Sequence, residues 1–303
     1  MASTIRSHGF VFIIHIMDEC LIVIIQCLIL SILYVSSLYV WKYQHERDHP
    51  STIKRRFVSV TVVTLISPIY LYYCLNQKYL KQYTLWDLLG IRLPGLWQAI
   101  IYPLFLTVIL FLGPICFQIA NGSCTMYIDK DYWYSNIMDL IWIRNYIVAP
   151  LSEELTYRAC MIPLLLQCFH QLLIIFICPF FFGTAHFNHL LENLKAGYEF
   201  KKSLIITSFQ FLYTTVFGAY STFLFLRTGH LTAPLVAHIF CNHMGFPDLS
   251  TLLFYTGMRK YALIFCFLLG FVAWCLLLVP ITEPTLYYNT LYWDKNYSRI
   301  PDS

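Results

Sequence analysis

The chain has 303 residues, of which 58% are hydrophobic and only 12% are Asp, Glu, Lys or Arg. That charge share is about half the ~25% of a soluble globular protein, so it excludes a chain whose whole surface faces water. The formal net charge of +4 comes from short basic clusters between apolar runs, which excludes the continuous basic face of a nucleic-acid-binding protein.

Eight apolar runs are separated by segments that hold nearly all the charge, and each run predicts a helix. The first is far longer than the ~7 to 15 residues of a secretory signal, so we expect it to stay as a membrane span. The fourth and seventh are shorter than the ~20 residues that cross the hydrocarbon, which favours helices that are broken, tilted or shielded from lipid. In chain order the runs cover 10–40, 57–75, 97–120, 137–149, 159–182, 204–226, 233–245 and 261–281.

This pattern predicts an all-α, polytopic integral membrane protein of about eight helices that enclose an intramembrane cavity. We expect one membrane-embedded domain over residues 1–303, with N-terminal helices at 10–120 and a motif-bearing core at about 137–245. After the last helix (261–281), the tail at 282–303 carries four tyrosines and a tryptophan. Such aromatic residues are typical of a segment at the lipid headgroup level.

Charge and cysteine distribution give weaker signals. The loop at 41–56, WKYQHERDHPSTIKRR, contains five Lys or Arg residues, and the positive-inside rule predicts that it is cytoplasmic. The 11 cysteines lie mostly inside apolar runs without C-x-x-C spacing, so we interpret them as packing thiols.

The sequence from Ala149 to Arg158, APLSEELTYR, places two adjacent carboxylates in apolar surroundings. Each ionised group at membrane depth costs roughly 2.5 to 3.5 kcal/mol on insertion scales, so the charges need a partner or a function. We expect a helix that begins near Pro150, which would place both carboxylates near its favourable N-terminal end. A charge cluster at the membrane surface is the purely structural alternative.

Helical geometry separates the roles of the two carboxylates. Glu154 and Arg158 are four residues apart and share a face, which predicts an ion pair. Glu153 points roughly 100° away from Glu154, has no obvious local partner and lies beside a like charge. These conditions suit a general base.

Two histidine motifs follow on later runs. Phe182-Gly183-Thr184-Ala185-His186 ends an apolar run; His186 and His189 have the spacing of two metal ligands, although a capping histidine is the simpler interpretation. His238 and Asn242 lie one helical turn apart, so both could donate to an oxyanion, or could act as polar contacts between membrane helices.

Taken in this order, E-E-x-x-x-R, F-x-x-x-H and H-x-x-x-N resemble the motif set of the CAAX prenyl protease 2 family. This family is also called the type II CAAX endopeptidases, within the abortive-infection-like membrane proteases. The phrases RNYIVAPLSEELTYRACM and FFGTAHFNH are similar to its eukaryotic branch. The first forty residues and the tail support the resemblance least.

The resemblance implies an intramembrane endoprotease that removes the C-terminal aaX tripeptide of prenylated CAAX proteins of the small GTPase type. Glu153 and His186 would activate water, and His238 and Asn242 would stabilise the oxyanion. Glu154 with Arg158 would support the site, and Phe182 would pack beneath His186. It also implies glutamate-type catalysis without metal or cofactor, contact with membrane lipids, and a multi-pass protein of the endoplasmic reticulum whose site opens to the cytosol.

Three alternatives remain at this point. A metal-dependent hydrolase would use Glu153, His186 and His238 as ligands. A proton-coupled transporter would use the intramembrane Glu and His as a relay, although no internal repeat is visible. A non-catalytic membrane scaffold would usually have lost a motif residue, and none is lost here.

Overall fold

The computed structural model describes residues 2–42, 45–246, 252 and 255–293, with side chains from residue 18 onward. In this part of the chain the regular secondary structure is helical throughout, which confirms the predicted all-α class. The helices are α1 (Ala2–Ser37), α2 (Pro50–Cys74), α3 (Gln77–Gln82), α4 (Leu85–Leu88), α5 (Leu96–Leu110), α6 (Leu112–Ala120), α7 (Lys130–Met138), α8 (Leu140–Ile143), α9 (Ala149–Glu154), α10 (Met161–Leu165), α11 (Gln171–Ala185), α12 (Asn188–Lys195), α13 (Phe200–Thr228), α14 (Thr232–Met244) and α15 (Gly257–Ile281).

Several helical segments are long and apolar enough to cross a membrane. Within the described residues there are five such segments of 20 to 29 residues, and α5 with α6 forms a sixth if this bent pair is counted as one span. Since about 20 residues cross the hydrocarbon, the protein is a multi-pass membrane protein, as predicted. The five are Asp18–Ser37, Pro50–Cys74, Gln171–Lys195, Phe200–Thr228 and Gly257–Ile281.

Two apolar runs divide where the sequence predicted single helices. The run at 97–120 bends by 66° between α5 and α6. Pro114 lies in the first turn of α6 and cannot donate to the Leu110 carbonyl, which accounts for the break. The run at 159–182 ends one helix at Leu165 and starts another at Gln171, where the His170 side chain caps the Leu172 amide. The first break lies in apolar residues, which hid it, whereas the second contains Gln167, His170 and Gln171.

The α-helical element α9 begins at Ala149, beside Pro150, as expected, but this start is not a free helix N-terminus. The chain is already helical from Leu140, where the Asp139 side chain accepts from the Ile141 amide at 3.0 Å. Helical elements then follow one another to Leu165, including two π-helical turns at Arg144–Val148 and Leu155–Cys160. The two carboxylates therefore lie inside a helical run, and a helix N-terminus does not stabilise them.

The described residues group into two compact units, each assembled from three stretches of the sequence. The first takes its residues from Met1–Lys42, Val58–Ile91 and Ser152–Phe223, and the second from Tyr43–Phe57, Arg92–Leu151 and Leu224–Ser303. A single domain over the whole chain stays a prediction.

Each unit has its own packed helices. In the first, α1 contacts α10, α11 and the second π-helical turn. In the second, α5 contacts α14 and α15, and α15 also contacts α6. A Cβ at Gly270 of α15 would come within 2.6 Å of the Ile109 carbonyl oxygen, so the small residue allows the close backbone approach that membrane helices use in place of a hydrophobic driving force.

Candidate active site

Glu154 and Arg158 form the ion pair that their spacing predicted. Their side chains are 0% exposed, and Nη1 of Arg158 lies 3.2 Å from Oε1 of Glu154. Ser221 of α13 donates to the other carboxylate oxygen at 2.7 Å, a contact for which the sequence carries no local signal. A buried charge is tolerated when it is paired and hydrogen-bonded, and this carboxylate is both. It therefore serves as a structural anchor for α9.

The Arg158 guanidinium also connects the E-E-x-x-x-R motif with the F-x-x-x-H motif. Its Cζ lies 4.3 Å from the centre of the Phe182 ring, in cation–π geometry. A Cβ at Gly218 would come within 3.2 Å of the Arg158 Nη2 atom and 2.9 Å of the Pro179 Cβ atom, so a glycine allows α13 to pass close to this group. Phe182 is thus packed between the ion pair and the histidine of its own motif.

His186, the C-terminal residue of that motif, has a defined ring orientation. Its ring lies edge-to-face with Phe182 at 4.9 Å, and its Nδ1 atom is 2.9 Å from the Phe182 carbonyl oxygen. A carbonyl can only accept, so Nδ1 carries the proton, and Nε2 is the acceptor nitrogen of the neutral ring. Such a nitrogen can accept a hydrogen bond from a water molecule.

The two adjacent carboxylates are in different environments. Glu154 is fully buried between Arg158 and Ser221, whereas Glu153 is only partly buried. Glu153 therefore remains within reach of water while its neighbour is held by fixed partners. The structure thus separates a structural carboxylate from one that could take part in chemistry, as the helical geometry predicted.

His238 and Asn242 lie in the second unit, on α14. His238 is 5% exposed, whereas Asn242 is exposed and donates from Nδ2 to the Asn145 carbonyl oxygen at 2.9 Å. One amide hydrogen is fixed by this bond, which orients the side chain and directs the second hydrogen elsewhere. A second amide hydrogen on Asn242 and a ring N–H on His238 are the kinds of donor that an oxyanion needs.

The Asn145 carbonyl is available to Asn242 because of a proline. In the π-helical turn at Arg144–Val148, the Ala149 amide donates to the Arg144 carbonyl, five residues earlier. The same register would pair the Asn145 carbonyl with the amide of residue 150, but Pro150 has no N–H. The side chain of Asn242 takes the place of the missing donor.

The end of α14 is held against aromatic side chains of the same unit. The Nε2 atom of His243 lies 2.8 Å from the Tyr127 hydroxyl, and its ring is 5.8 Å from the ring of Tyr146. Burial lowers the pKa of the His243 imidazole. This neutral ring helps to keep α14 against the π-helical turn that contacts Asn242.

The structure brings five of the seven motif residues together in the first unit and places the other two in the second. No group of three or more His, Cys, Asp or Glu side chains is arranged to hold a metal ion among the residues that the structure describes. The five are Glu153, Glu154, Arg158, Phe182 and His186; the two are His238 and Asn242.

Comparisons with known proteins give one consistent family. A family model described as type II CAAX prenyl endopeptidase Rce1-like matches residues 136–244, which include all seven motif residues. The human protein named CAAX prenyl protease 2 is 42% identical over 278 residues, covering 88% of this chain and 83% of its own length. Its namesake from Arabidopsis thaliana is 35% identical over 288 residues (87% and 90%), and that from Saccharomyces cerevisiae is 32% identical over 269 residues (78% and 84%). No solved structure matches the chain.

Proposed function

Since this chain belongs to the Rce1-like family of type II CAAX prenyl endopeptidases, we propose that it removes the C-terminal aaX tripeptide of prenylated CAAX proteins by means of a water activated by Glu153 and His186. The observation that carries this mechanism is the separation of the two adjacent carboxylates. The Glu154 carboxylate is paired with Arg158 and accepts from Ser221, whereas Glu153 is partly accessible to solvent. A glutamate in that position can accept a proton from water.

In the proposed reaction, water attacks the carbonyl carbon of the prenylated cysteine, which is bonded to the nitrogen of the aaX tripeptide. Glu153 takes a proton from this water, and Nε2 of His186 accepts the hydrogen bond that orients it. The C–N bond then breaks, and the proton passes from Glu153 to the leaving amine. For His238 and Asn242 we propose the role that the family resemblance implies, as donors to the oxyanion of the tetrahedral intermediate.

The proposal extends to the setting of the enzyme. We propose residence in the endoplasmic reticulum membrane, with the basic segment at 41–56, which runs into the start of α2, and the access to the site on the cytosolic side. The five Lys or Arg residues of that segment support this orientation. Small GTPase-type proteins are the proposed substrates, and their prenyl chains would partition into the surrounding lipid.

The test is release of the tripeptide by purified, detergent-solubilised protein from a farnesylated CAAX peptide. We expect release from the farnesylated peptide and at least ~10-fold slower release from the same peptide without the farnesyl group, because the prenyl chain supplies apolar binding energy. Mass spectrometry of the products checks the cleavage position. Equal cleavage of both peptides, or cleavage elsewhere, would contradict the proposal.

Metal removal separates the glutamate mechanism from the metal-dependent alternative. We expect activity to remain within ~2-fold after exhaustive treatment with chelators, because the proposed residues supply the base and the oxyanion donors themselves. The metal content of the same active sample is measured by mass spectrometry. Stoichiometric zinc in active enzyme, with activity lost on its removal, would support the metal-dependent hydrolase instead.

The contact between Asn145 and Asn242 leads to a further expected result. In the Pro150→Ala variant, the restored N–H competes with Asn242 for the Asn145 carbonyl. Loss of one hydrogen bond of about 1 kcal/mol corresponds to a fall in kcat of roughly 5-fold. Pro68→Ala, at a proline inside α2, is the control and is expected to leave kcat within ~2-fold. An unchanged kcat in Pro150→Ala would show that Asn242 does not depend on this carbonyl.

A further inference from the structure

Tyr34, near the end of α1, reaches the segment that carries the proposed general base. Its side chain is only 6% exposed, and its hydroxyl oxygen lies 2.9 Å from Oγ of Ser152. Ser152 immediately precedes Glu153, and the Tyr34 hydroxyl is also within hydrogen-bonding reach of the Glu153 carboxyl. The first helix, whose sequence supported the family resemblance least, therefore contributes a polar group to this part of the first unit.

The ring of Tyr34 is held in place by its neighbours. It packs edge-to-face against the Tyr157 ring, with 5.6 Å between the centroids. The Tyr157 hydroxyl in turn lies 3.3 Å from Oγ of Ser31, one helical turn before Tyr34 on α1. A buried aromatic ring fixed in this way has little rotational freedom, so its hydroxyl has a defined position.

The directions of the hydrogen bonds follow from the number of protons. The Tyr34 hydroxyl has a single proton and two acceptors within reach, the Ser152 hydroxyl and the Glu153 carboxyl. An ionised carboxylate is the stronger acceptor and has no proton to donate. The Tyr34 proton therefore goes to Glu153, and Ser152 donates its own proton to the Tyr34 oxygen. Two such bonds in series strengthen each other at a buried position.

We propose that Tyr34 is a positioning residue for the reaction, whose hydroxyl donates to the Glu153 carboxylate and holds it in the orientation that accepts the proton of the attacking water. This inference rests on the proposed function of Glu153. A carboxylate accepts several hydrogen bonds, so a bond from Tyr34 does not prevent Glu153 from also accepting one from water. Ser152 acts one step further away, by orienting the Tyr34 hydroxyl.

The same unit offers a matched control. Tyr157 is fully buried and also loses a single hydroxyl when it is replaced by phenylalanine, but the hydrogen bond of that hydroxyl goes to Ser31. Tyr34→Phe and Tyr157→Phe therefore remove the same group from neighbouring rings. A purely structural effect should be similar in the two variants. An effect on the position of the Glu153 carboxylate should appear in Tyr34→Phe and not in Tyr157→Phe.

The experiment measures kcat and KM for a farnesylated CAAX peptide, together with Tm, in the full-length protein and its variants. We expect Tyr34→Phe to lower kcat by roughly 10- to 100-fold with KM within ~2-fold, since a misplaced general base slows the chemical step without weakening substrate binding. Ser152→Ala is expected to lower kcat by a smaller factor, roughly 3-fold. Tyr157→Phe is expected to keep kcat within ~3-fold and to lower Tm at least as much as Tyr34→Phe.

Two results would overturn the inference. If Tyr34→Phe and Tyr157→Phe lower kcat equally, or if Tyr34→Phe raises only KM, the Tyr34 hydroxyl does not position the base. In that case, loss of activity in Glu153→Gln would still support the proposed function by itself. If Glu153→Gln keeps its activity, Glu153 is not the general base and this inference fails with that role, whereas the tripeptide release itself would still stand.

Discussion

Replacement of Glu153 by glutamine is expected to lower kcat for tripeptide release by roughly 10²- to 10⁴-fold, the contribution of a well-placed general base. Glutamine has nearly the same shape and still fits beside Ser152, but its amide cannot take a proton from water. KM should stay within ~2-fold, because the change removes an interaction that matters in the transition state. The measurement is tripeptide release by the purified variant under saturating farnesylated peptide.

The control for this experiment is another glutamate of the same unit. Glu192 of α12 lies 3.0 Å from Nδ1 of His189 and accepts from the Tyr39 hydroxyl at 3.2 Å. Glu192→Gln makes the same chemical change at a residue to which we assign no catalytic role, and it is expected to leave kcat within ~3-fold. If Glu153→Gln retained more than about a tenth of the wild-type kcat, a general-base role for Glu153 would be excluded.

The second large effect concerns stability. Arg158→Met keeps an apolar stem of similar length but leaves the fully buried carboxylate of Glu154 without its cation. Breaking one side of a buried ion pair typically costs about 3 to 5 kcal/mol, because the remaining charge is uncompensated. The contact between the guanidinium and Phe182 is lost as well. We expect a markedly lower Tm in detergent and a smaller yield of folded, active protein.

A double variant tests whether the remaining charge is the cause. In Glu154→Gln/Arg158→Met both charges are gone, and the glutamine can still accept from Ser221. We therefore expect a Tm closer to that of the wild type than the Tm of Arg158→Met alone. A double variant that is less stable than either single variant would show instead that the shape of this site, and not its charge, determines its stability.

Local chemistry made part of the site predictable. Two carboxylates in apolar sequence needed an explanation, and the i, i+4 spacing identified the pair of Glu154 and Arg158 even though a π-helical turn follows Glu154. The start of α9 beside Pro150 was predicted, but the helical turns before it were not, because Pro150 is common in a first helical turn and is also compatible with a preceding π-helical turn. Composition does not distinguish these two cases.

The sequence by itself determined the membrane class, the helical content and the motif residues, because hydropathy, charge and short-range spacing act through neighbours along the chain. Only the tertiary structure decided which groups far away in the sequence form hydrogen bonds with the motif residues and their neighbours. Ser221 reaches Glu154 across 67 positions, Asn145 accepts from Asn242 across 97, and Tyr34 meets Ser152 across 118. Such contacts depend on how helices pack, and an apolar helix carries no local signal for the one hydroxyl or carbonyl that its neighbour will need.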